Sequence, residues 1–340
     1  MMNNQISIIM KEIKTNNDNK LSELKCKICN NESNNELIIA QERHLGLGDK
    51  FEYILCSDCH CLQIKEIPEN IGKYYPPSYY SFQEAKFPSR LNRFNFFLKK
   101  SLINYYMGYF DITGFFLSFI FEHPFPWIRN KEINFNSRIL DVGTGSGRKI
   151  LSLQRSGFTN LTGIDPLIAE DLYYENGVKV LKKDISEIDE KYDFIMLHHS
   201  FEHMPNPQEV AKHVSRLLDS NGCALIRIPV SNSYAWHKYR EYWVGLDAPR
   251  HFFLHSPQSM NILFNETDLK IDKIVYDSGS FQFIGSEMYL RDLTLFASDD
   301  IFTKKDLRRF AKEAKKLNMN NKGDTACFYL KKDPELSNSL

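Results

Sequence analysis

The sequence predicts a doubly wound α/β fold built on a seven-stranded, Rossmann-like sheet. Two observations support it: short apolar stretches that end in acidic or polar residues alternate with helix-like segments, and a glycine-rich turn follows the first of these stretches. Strands alternating with helices are typical of a parallel sheet covered on both faces. A small cysteine-rich module and a helical linker are predicted ahead of this sheet.

The first strand–turn–helix unit is "RILDVGTGSGR", in which Asp141 ends the strand and Gly143, Gly145 and Gly147 follow. A glycine loop between a strand and a helix lets the backbone approach a ligand closely at the carboxyl edge of a sheet. The dinucleotide pattern GxGxxG is not met, because the third glycine comes one residue early. All four residues are predicted to bind a cofactor.

The second and third strands are followed by acids. "NLTGID" ends in Asp165, 18 residues after Gly147, where a carboxylate can accept both hydroxyls of a ribose. "VKVLKKD" leads into Asp184 and Ile185, an acid and an apolar side chain that suit an adenine amino group and ring face. These three positions are predicted cofactor residues.

The fourth strand, "YDFIMLHHS", ends in His198 and His199. Successive side chains of a strand point to opposite faces, so one of the two is expected to be a packing residue. His198 is predicted to bind the cofactor, and His199 is a candidate catalytic residue. The fifth, sixth and seventh strands are predicted in "CALIRIPV", "DLKIDKIVYDSG" and "DTACFYLKK". An insertion over 280–321 is predicted to cover an acceptor pocket or to make a subunit contact.

Four cysteines form two CxxC pairs, Cys26 with Cys29 and Cys56 with Cys59. Two such pairs can supply four thiolates to one tetrahedral Zn²⁺. A site with all four positions taken by protein has no open place for a substrate, so the predicted zinc is structural. Disulfides are disfavoured, because the polar start of the chain has no export signal and a cytoplasmic location keeps thiols reduced.

The charge balance argues against a nucleic-acid partner, since Lys+Arg and Asp+Glu number 43 each in 340 residues. Residues 102–121 are apolar and long enough to span a bilayer, but they contain Asp111 and Asn104. One or two aromatic helices packed on the main domain are therefore favoured, and a membrane-contacting segment is the alternative.

The domains are predicted as a tail over 1–20, a zinc module over 21–75, a helical linker over 76–135 and a cofactor domain over 136–335.

Taken together, "ILDVGTGSG", Asp165, Asp184 and "FIMLHHSFEHMPNP" resemble the class I S-adenosylmethionine-dependent methyltransferases over residues 138–332. The resemblance is to a small-molecule branch, whose "W-x-gld-PRH" segment is similar to the loop over 242–256. The CxxC pairs and "YYPPSYYSF" resemble zinc-bearing relatives from sugar and surface-polysaccharide gene clusters.

The resemblance implies methyl transfer from S-adenosylmethionine to a small polar acceptor, and it favours a hydroxyl of a sugar or nucleotide-linked sugar. A sugar C-methyltransferase, an RNA methyltransferase and a non-catalytic scaffold are the alternatives. Carbon-methylating relatives carry Glu-His in the loop where this chain has Arg250 and His251, which favours oxygen transfer. The sequence indicates neither the acceptor's identity nor the oligomeric state.

A hydroxyl acceptor calls for a general base with a pKa near neutrality, and histidine is the usual choice. The candidate bases are His251, His203 of the "FEHMP" turn, and His199. Four residues are predicted to contact the acceptor: Arg250, Trp243, Tyr79 and Tyr80. The alternative for Arg250 is a salt bridge to Asp247, and for the two tyrosines it is aromatic packing.

Overall fold

The structure, a computed structural model, describes residues 24–76, 92–128, 133–174, 177–297 and 301–333. The predictions for Tyr79, Tyr80 and the tail over 1–20 lie outside these ranges. The chain divides into two compact units that interleave along the sequence, whereas the predicted domain boundaries are linear. The first unit comprises Met1–Tyr74, Pro229–Leu263 and Tyr276–Ala326, and the second comprises Tyr75–Ile228, Phe264–Val275 and Cys327–Leu340.

Within the described ranges the chain forms twelve strands and eight α-helices. The strands are β1 (Glu36–Gln41), β2 (Lys50–Leu55), β3 (Leu62–Ile64), β4 (Arg138–Val142), β5 (Asn160–Ile164), β6 (Leu172–Tyr173), β7 (Lys179–Leu181), β8 (Tyr192–His198), β9 (Leu218–Pro229), β10 (Phe253–Leu254), β11 (Leu269–Tyr276) and β12 (Thr325–Lys332). The helices are α1 (Arg93–Tyr106), α2 (Ile112–Ser118), α3 (Arg148–Gln154), α4 (Pro207–Leu217), α5 (Tyr234–Tyr239), α6 (Pro257–Phe264), α7 (Phe281–Tyr289) and α8 (Lys304–Met319).

The first unit is built on an antiparallel sheet in the order β1-β2-β3-β10. Strand β10 comes from the loop over 242–256 and pairs with β3, so that Phe253 lies opposite Gln63. A continuous apolar core joins the cysteine-rich segment to this loop and to α5, α7 and α8. The N-terminal module therefore shares its core with residues far along the chain.

The second unit is built on an eight-stranded sheet in the order β11-β12-β9-β8-β4-β5-β7-β6. Strand β4 pairs in parallel with β5 and β8, β5 with β7, and β8 with β9. All seven predicted strands are present, but the count of seven is exceeded by β6, which pairs antiparallel with β7 at the edge. A two-residue edge strand has too few residues to show an alternating pattern, so the sequence does not reveal it.

Two helices of the second unit form where the sequence predicts an aromatic helical segment. Asp111 caps α2, its Oδ1 accepting from the backbone N–H of Gly114 at 2.8 Å. A Cβ on Gly114 would lie 2.1 Å from the carbonyl oxygen of Ser101, so only glycine permits this close contact between α1 and α2. Among the described residues, no helix combines the length and apolar character needed to cross a membrane.

The insertion over 280–321 supplies α7 and α8 to the first unit. Helix α8 begins with a capping box between Thr303 and Asp306 and buries Phe310, Ala314 and Leu317 in that unit's core. A role in covering an acceptor or in subunit contact stays a prediction.

Candidate cofactor and acceptor sites

The glycine loop follows β4 with three residues in the left-handed region, Gly143, Gly145 and Gly147, at φ values of 72°, 55° and 77°. A Cβ on Gly143 would lie 2.4 Å from Cβ of Ser200. The loop is held at its start because the N–H of Gly143 donates to the carbonyl of Ile164 at 2.8 Å. The backbone path therefore requires glycine, as the sequence pattern predicts.

The loop lies where the strand order reverses. From β4 the chain builds β5 and β7 to one side of the sheet and then β8 and β9 to the other. Because β4, β5 and β8 are parallel, their carboxyl ends meet at one edge, which brings Asp141, Asp165 and His198 to that edge. Ligands of open α/β sheets bind in the crevice at such a reversal.

Asp165 is fixed by backbone donors at the end of β5. Its Oδ2 accepts from the N–H of Gly145 at 2.8 Å and its Oδ1 from that of Leu167 at 2.9 Å. The residue is 7% exposed. Each carboxylate oxygen has a second lone pair, so an oriented Asp165 can accept the two hydroxyls of a ribose.

Asp141 is almost fully buried and has one strong hydrogen-bond donor beside it. The hydroxyl of Thr144 donates to its Oδ2 at 2.6 Å. Burial nevertheless dominates and raises the pKa of Asp141 to about 7. The carboxyl group thus changes charge near neutral pH at the edge where the glycine loop begins.

Asp184 begins a short 3₁₀ turn and is exposed, whereas Ile185 is buried. Its Oδ1 accepts from the N–H of Ser186 at 3.0 Å, and Oε2 of Glu187 accepts from the N–H of Asp184 at 2.7 Å. This reciprocal capping box fixes the turn that follows β7. Contact of Asp184 and Ile185 with an adenine stays a prediction.

His198 and His199 point into different surroundings. His198 is buried, packs edge-to-face on Trp127 with ring centroids 4.4 Å apart, and has its pKa held well below the usual value by burial. His199 has a left-handed backbone at φ 52° and a side chain that is 38% exposed. Its Nε2 accepts from the guanidinium of Arg227, while its Nδ1 lies 3.4 Å from Oε1 of the buried Glu202.

His203 lies one short turn further along the same unit. Its Nδ1 is 3.2 Å from the hydroxyl of Tyr75, and the two rings meet edge-to-face with centroids 6.3 Å apart. Tyr75 is the second residue of the "YYPPSYYSF" stretch of the sequence, so one tyrosine of that stretch contacts a candidate base.

Arg250 is buried in the first unit between two carboxylates, with 0% of its side chain exposed. Its Nε and Nη2 donate to the two oxygens of Asp247 at 2.9 and 2.6 Å, and Nη2 also donates to Oε1 of Glu42 at 3.1 Å. Burial would raise the pKa of Asp247, but the Arg250 charge and hydrogen bonds outweigh it and hold that pKa well below its usual range. The salt bridge that the sequence leaves open is therefore formed, and contact of Arg250 with an acceptor stays a prediction.

Trp243 and His251, the other two candidate site residues of the loop over 242–256, differ in exposure. Trp243 is 1% exposed and donates its Nε1–H to Oδ2 of Asp324 at 3.0 Å, so it serves as core packing in this structure. His251 has a side chain 12% exposed, and its Nδ1 donates to the carbonyl of Gly245 at 2.8 Å. Because that carbonyl accepts only a proton-bearing nitrogen, Nε2 is the basic nitrogen of the neutral ring.

The four predicted ligand cysteines converge in the first unit, with all four sulfur atoms within 4.8 Å of one another. The Sγ atoms of Cys26 and Cys59 are 3.6 Å apart, and those of Cys29 and Cys56 are 3.5 Å apart. Disulfide bonding requires about 2.05 Å. Zn–S bonds of about 2.3 Å in a tetrahedron place sulfurs roughly 3.8 Å apart, so the cluster fits a zinc ion.

The two CxxC turns repeat one geometry. Asn30 and His60 follow the second cysteine of each pair with left-handed φ values of 60° and 58°. Their N–H groups donate to the carbonyls of Cys26 and Cys56 at 3.0 and 3.1 Å. The N–H of Ile28 also lies 3.4 Å from Sγ of Cys26, a contact that favours a thiolate.

Sequence reasoning missed two buried or partly buried partners, Arg227 beside His199 and Glu42 beside Arg250. Arg227 lies opposite His198 in the register of β8 and β9, which one sequence does not reveal. Glu42 lies 208 residues before Arg250, and one sequence gives no signal for a pairing over that distance.

Residues 116–274 match the family model described as a methyltransferase domain. A ubiquinone biosynthesis O-methyltransferase of Klebsiella pneumoniae is 30% identical over 113 residues, which are 30% of this chain and 46% of that protein. EEF1A lysine methyltransferase 2 of Danio rerio is 51% identical over 39 residues, 12% of this chain and 17% of that protein. The chain thus spans less than half the length of these curated relatives.

Two solved structures are similar to this chain with TM-scores below 0.4. A possible histamine N-methyltransferase from Thermotoga maritima has a TM-score of 0.39 at 17% identity, covering 58% of this chain and 83% of that chain. The O-methyltransferase of a trans-AT polyketide synthase from Brevibacillus brevis, in complex with S-adenosyl-L-homocysteine, has a TM-score of 0.38 at 17% identity, covering 60% and 70%.

The segment matched by the family model contains the glycine loop, Asp165, Asp184, His198 at the end of β8 and His199 directly after it. In the structure these residues lie on a doubly wound sheet, with the loop at its reversal point. Over residues 116–274 the chain therefore matches a methyltransferase domain.

Proposed function

We propose that the protein transfers a methyl group from S-adenosylmethionine to a hydroxyl of a small polar acceptor, a sugar or a nucleotide-linked sugar. The observation that carries the proposal is the hydrogen bond from Gly145 to Asp165, which joins the glycine loop to the strand-end acid of a methyltransferase domain. The O-methyltransferases among the relatives support an oxygen acceptor, and the resemblance in the cysteine-rich segment supports a sugar.

The residues at the sheet edge fit this cofactor. Asp165 presents oriented carboxylate oxygens to a ribose, and Gly143, Gly145 and Gly147 keep side chains away from the loop. S-adenosylmethionine supplies a methyl group on a sulfonium, which leaves readily and needs no metal. The protein's part is to align the acceptor and to exclude water, and these two effects account for much of the acceleration in such displacements.

An oxygen acceptor must lose a proton, and we propose His251 as the base. Its neutral ring carries the proton on Nδ1, held by the Gly245 carbonyl, so Nε2 is the atom that accepts a proton. His199 is less suited, because its Nε2 already accepts from the cationic Arg227. His203, beside the hydroxyl of Tyr75, is the second candidate.

We further propose that Cys26, Cys29, Cys56 and Cys59 hold a structural zinc ion in a cytoplasmic protein, where the thiols stay reduced. The sulfur spacing and the paired turns support this role. The ion would stabilise the segment that contributes β1 to β3.

A product assay tests the reaction. The purified chain is incubated with S-adenosylmethionine and a panel of sugars and sugar nucleotides, and S-adenosylhomocysteine and methylated products are measured by mass spectrometry. We expect a hydroxyl-methylated sugar, with the methylated atom assigned by NMR. Methylation at carbon, or turnover only with RNA, would overturn the acceptor class, and absence of cofactor binding would overturn the enzyme proposal.

Three matched variants test the base: His251→Gln, His203→Gln and His199→Gln. We expect His251→Gln to bind cofactor normally and to lower kcat by roughly a hundredfold, the lower end of general-base contributions. A full kcat in His251→Gln together with a collapsed kcat in His203→Gln would transfer the role to His203.

A further inference from the structure

A large apolar surface lies on the helices α1 and α2 of the second unit. Nine side chains between residues 94 and 121 are 42% to 91% exposed, and together they are called the aromatic face. They are Phe94, Phe97, Phe110, Ile112, Phe115, Phe116, Phe119, Ile120 and Phe121. Apolar residues exposed singly are normal, but a concentration of this kind in a folded protein marks an interaction surface.

The aromatic face is held by a well-packed pair of helices. The inner side of α1 buries Leu102 and Ile103, and Ile103 belongs to the core of the second unit. Gly114 brings α2 against the backbone of Ser101. The segment is therefore apolar on both its inner and its outer side, a pattern found where the outer side meets a second apolar phase.

The charges and aromatic tips around the face suit the surface of an anionic bilayer. Residues 112–121 contain no charged side chain, whereas α1 carries Arg93, Lys99 and Lys100. The acid inside the segment, Asp111, is engaged in capping α2 and in a 3.3 Å hydrogen bond from Asn104. Basic residues beside an exposed aromatic helix are the composition of segments that lie in the membrane interface.

The two lysines spread their stems over aromatic rings. Nζ of Lys99 lies 5.8 Å from the centroid of Phe125, and Nζ of Lys100 lies 4.7 Å from that of Phe135. Phe125 is buried in the core of the second unit and Phe135 packs against it, so the two lysines lie on the core-facing side of α1 and add positive charge to the helix that carries the face. Tyr106, on the same helix, donates its hydroxyl to the carbonyl of Phe121 at 2.7 Å, an amphipathic position typical of interfacial tyrosines.

We propose that the aromatic face docks the protein on an anionic phospholipid surface, lying in the interface without crossing it. The occupant is a bilayer surface rather than a second copy of this chain, because α1 carries three basic and no acidic side chains beside an uncharged tract, and Asp111, one of the two acids that bound the tract, is engaged in capping α2. This inference goes beyond the proposed function and does not depend on it.

Vesicle sedimentation of the full chain tests the proposal. The probes are vesicles of pure phosphatidylcholine and of phosphatidylcholine with about a third phosphatidylglycerol, at low and high salt. We expect wild type to sediment with the anionic vesicles and the triple variant Phe116→Ser, Phe119→Ser, Ile120→Ser to lose roughly a hundredfold in partitioning. Lys99→Gln with Lys100→Gln should remove most of the salt dependence.

The matched control is Phe296→Ser with Met319→Ser, which removes equally exposed apolar side chains, 72% and 78%, from the first unit. It should bind vesicles as wild type does. Equal binding by wild type and the triple variant would overturn the proposal, as would absence of vesicle binding. A dimer that the triple variant converts to monomer in sedimentation velocity, without lipid binding, would assign the face to a second copy instead. Cofactor affinity in the triple variant separates a failure here from a failure of the proposed function.

Discussion

The buried position of Arg250 makes a direct prediction about stability. Replacing it by Met, which has a similar length and no charge, leaves Glu42 and Asp247 without their cation in a site where Arg250 and Glu42 have fully buried side chains. Removing one partner of a buried ion pair costs about 3–5 kcal/mol, because the remaining charge is neither solvated nor paired. We expect Arg250→Met to lose that amount.

The loss should appear as a fall in Tm of roughly 10 °C, from about 2–4 °C per kcal/mol in large domains. Differential scanning calorimetry measures it. The pKa of Asp247 is depressed in the folded state, so its contribution is present above about pH 4, its unfolded pKa, and is lost as pH falls toward its folded value. The difference between wild type and Arg250→Met should therefore shrink in acid.

Two companion variants sharpen the test. Arg250→Met with Glu42→Gln should recover part of the stability, because one of the two stranded charges is gone. Arg138→Met is the matched control, since Arg138 pairs with Asp193 and Asp219 on the surface with a side chain 46% exposed, and exposed pairs contribute at most about 1 kcal/mol. A wild-type Tm in Arg250→Met, with a raised KM for the acceptor, would refute the structural role and restore Arg250 as a substrate ligand.

Three further predictions concern the metal and cofactor sites. Cys29→Ser should lower the zinc content, measured by metal analysis, and the Tm, measured by calorimetry. The control Cys327→Ser changes a cysteine buried in β12 and should keep the wild-type zinc content. Equal zinc content in the two variants would refute the four-cysteine zinc site. Asp165→Ala should weaken S-adenosylmethionine binding by roughly a hundredfold or more in calorimetry, because two charge-assisted hydrogen bonds are lost, and the exposed Asp189→Ala should match wild type; unchanged affinity in Asp165→Ala would refute the site. As pH rises from about 4 to 7, wild type should lose free energy of unfolding at a rate on the order of 1.4 kcal/mol per pH unit because of Asp141, and Asp141→Asn should lack this loss. The sign follows from the raised pKa of Asp141, since the folded state then binds more protons than the unfolded state and loses stability as pH rises. Superimposable stability–pH curves would contradict the buried acid.

The fold of the second unit could be predicted because its signals are local. The glycine loop, Asp165 and the apolar strands each occupy a few consecutive residues, and parallel connections of this kind have few permitted arrangements. The seven predicted strands are all found, and β6 is the one addition. The different surroundings of His198 and His199 do not come from strand alternation, because β8 ends at His198 and His199 adopts a left-handed backbone.

In the first unit the convergence of the four cysteines could be predicted from their spacing, but the rest of the packing could not, because its contacts join distant parts of the chain. The loop with Arg250 is predicted to contact an acceptor because its Arg250–His251 pair resembles a segment of small-molecule methyltransferases. In the structure Arg250 meets Glu42, and β10 pairs with β3. Whether Arg250 is buried depends on which distant segments pack together, and a single sequence does not show which segments do.

The pairing of β3 with β10 also sets an order of events during synthesis. The four cysteines leave the ribosome early, whereas β10 and the helices α7 and α8 that complete the same core follow much later. A bound metal ion would give the nascent segment a fixed shape during this delay, when β3 still lacks its partner β10 and the shared core is incomplete and prone to aggregation. The cysteine cluster would then stabilise the part of the first unit that is already synthesised until β10, α7 and α8 have been translated.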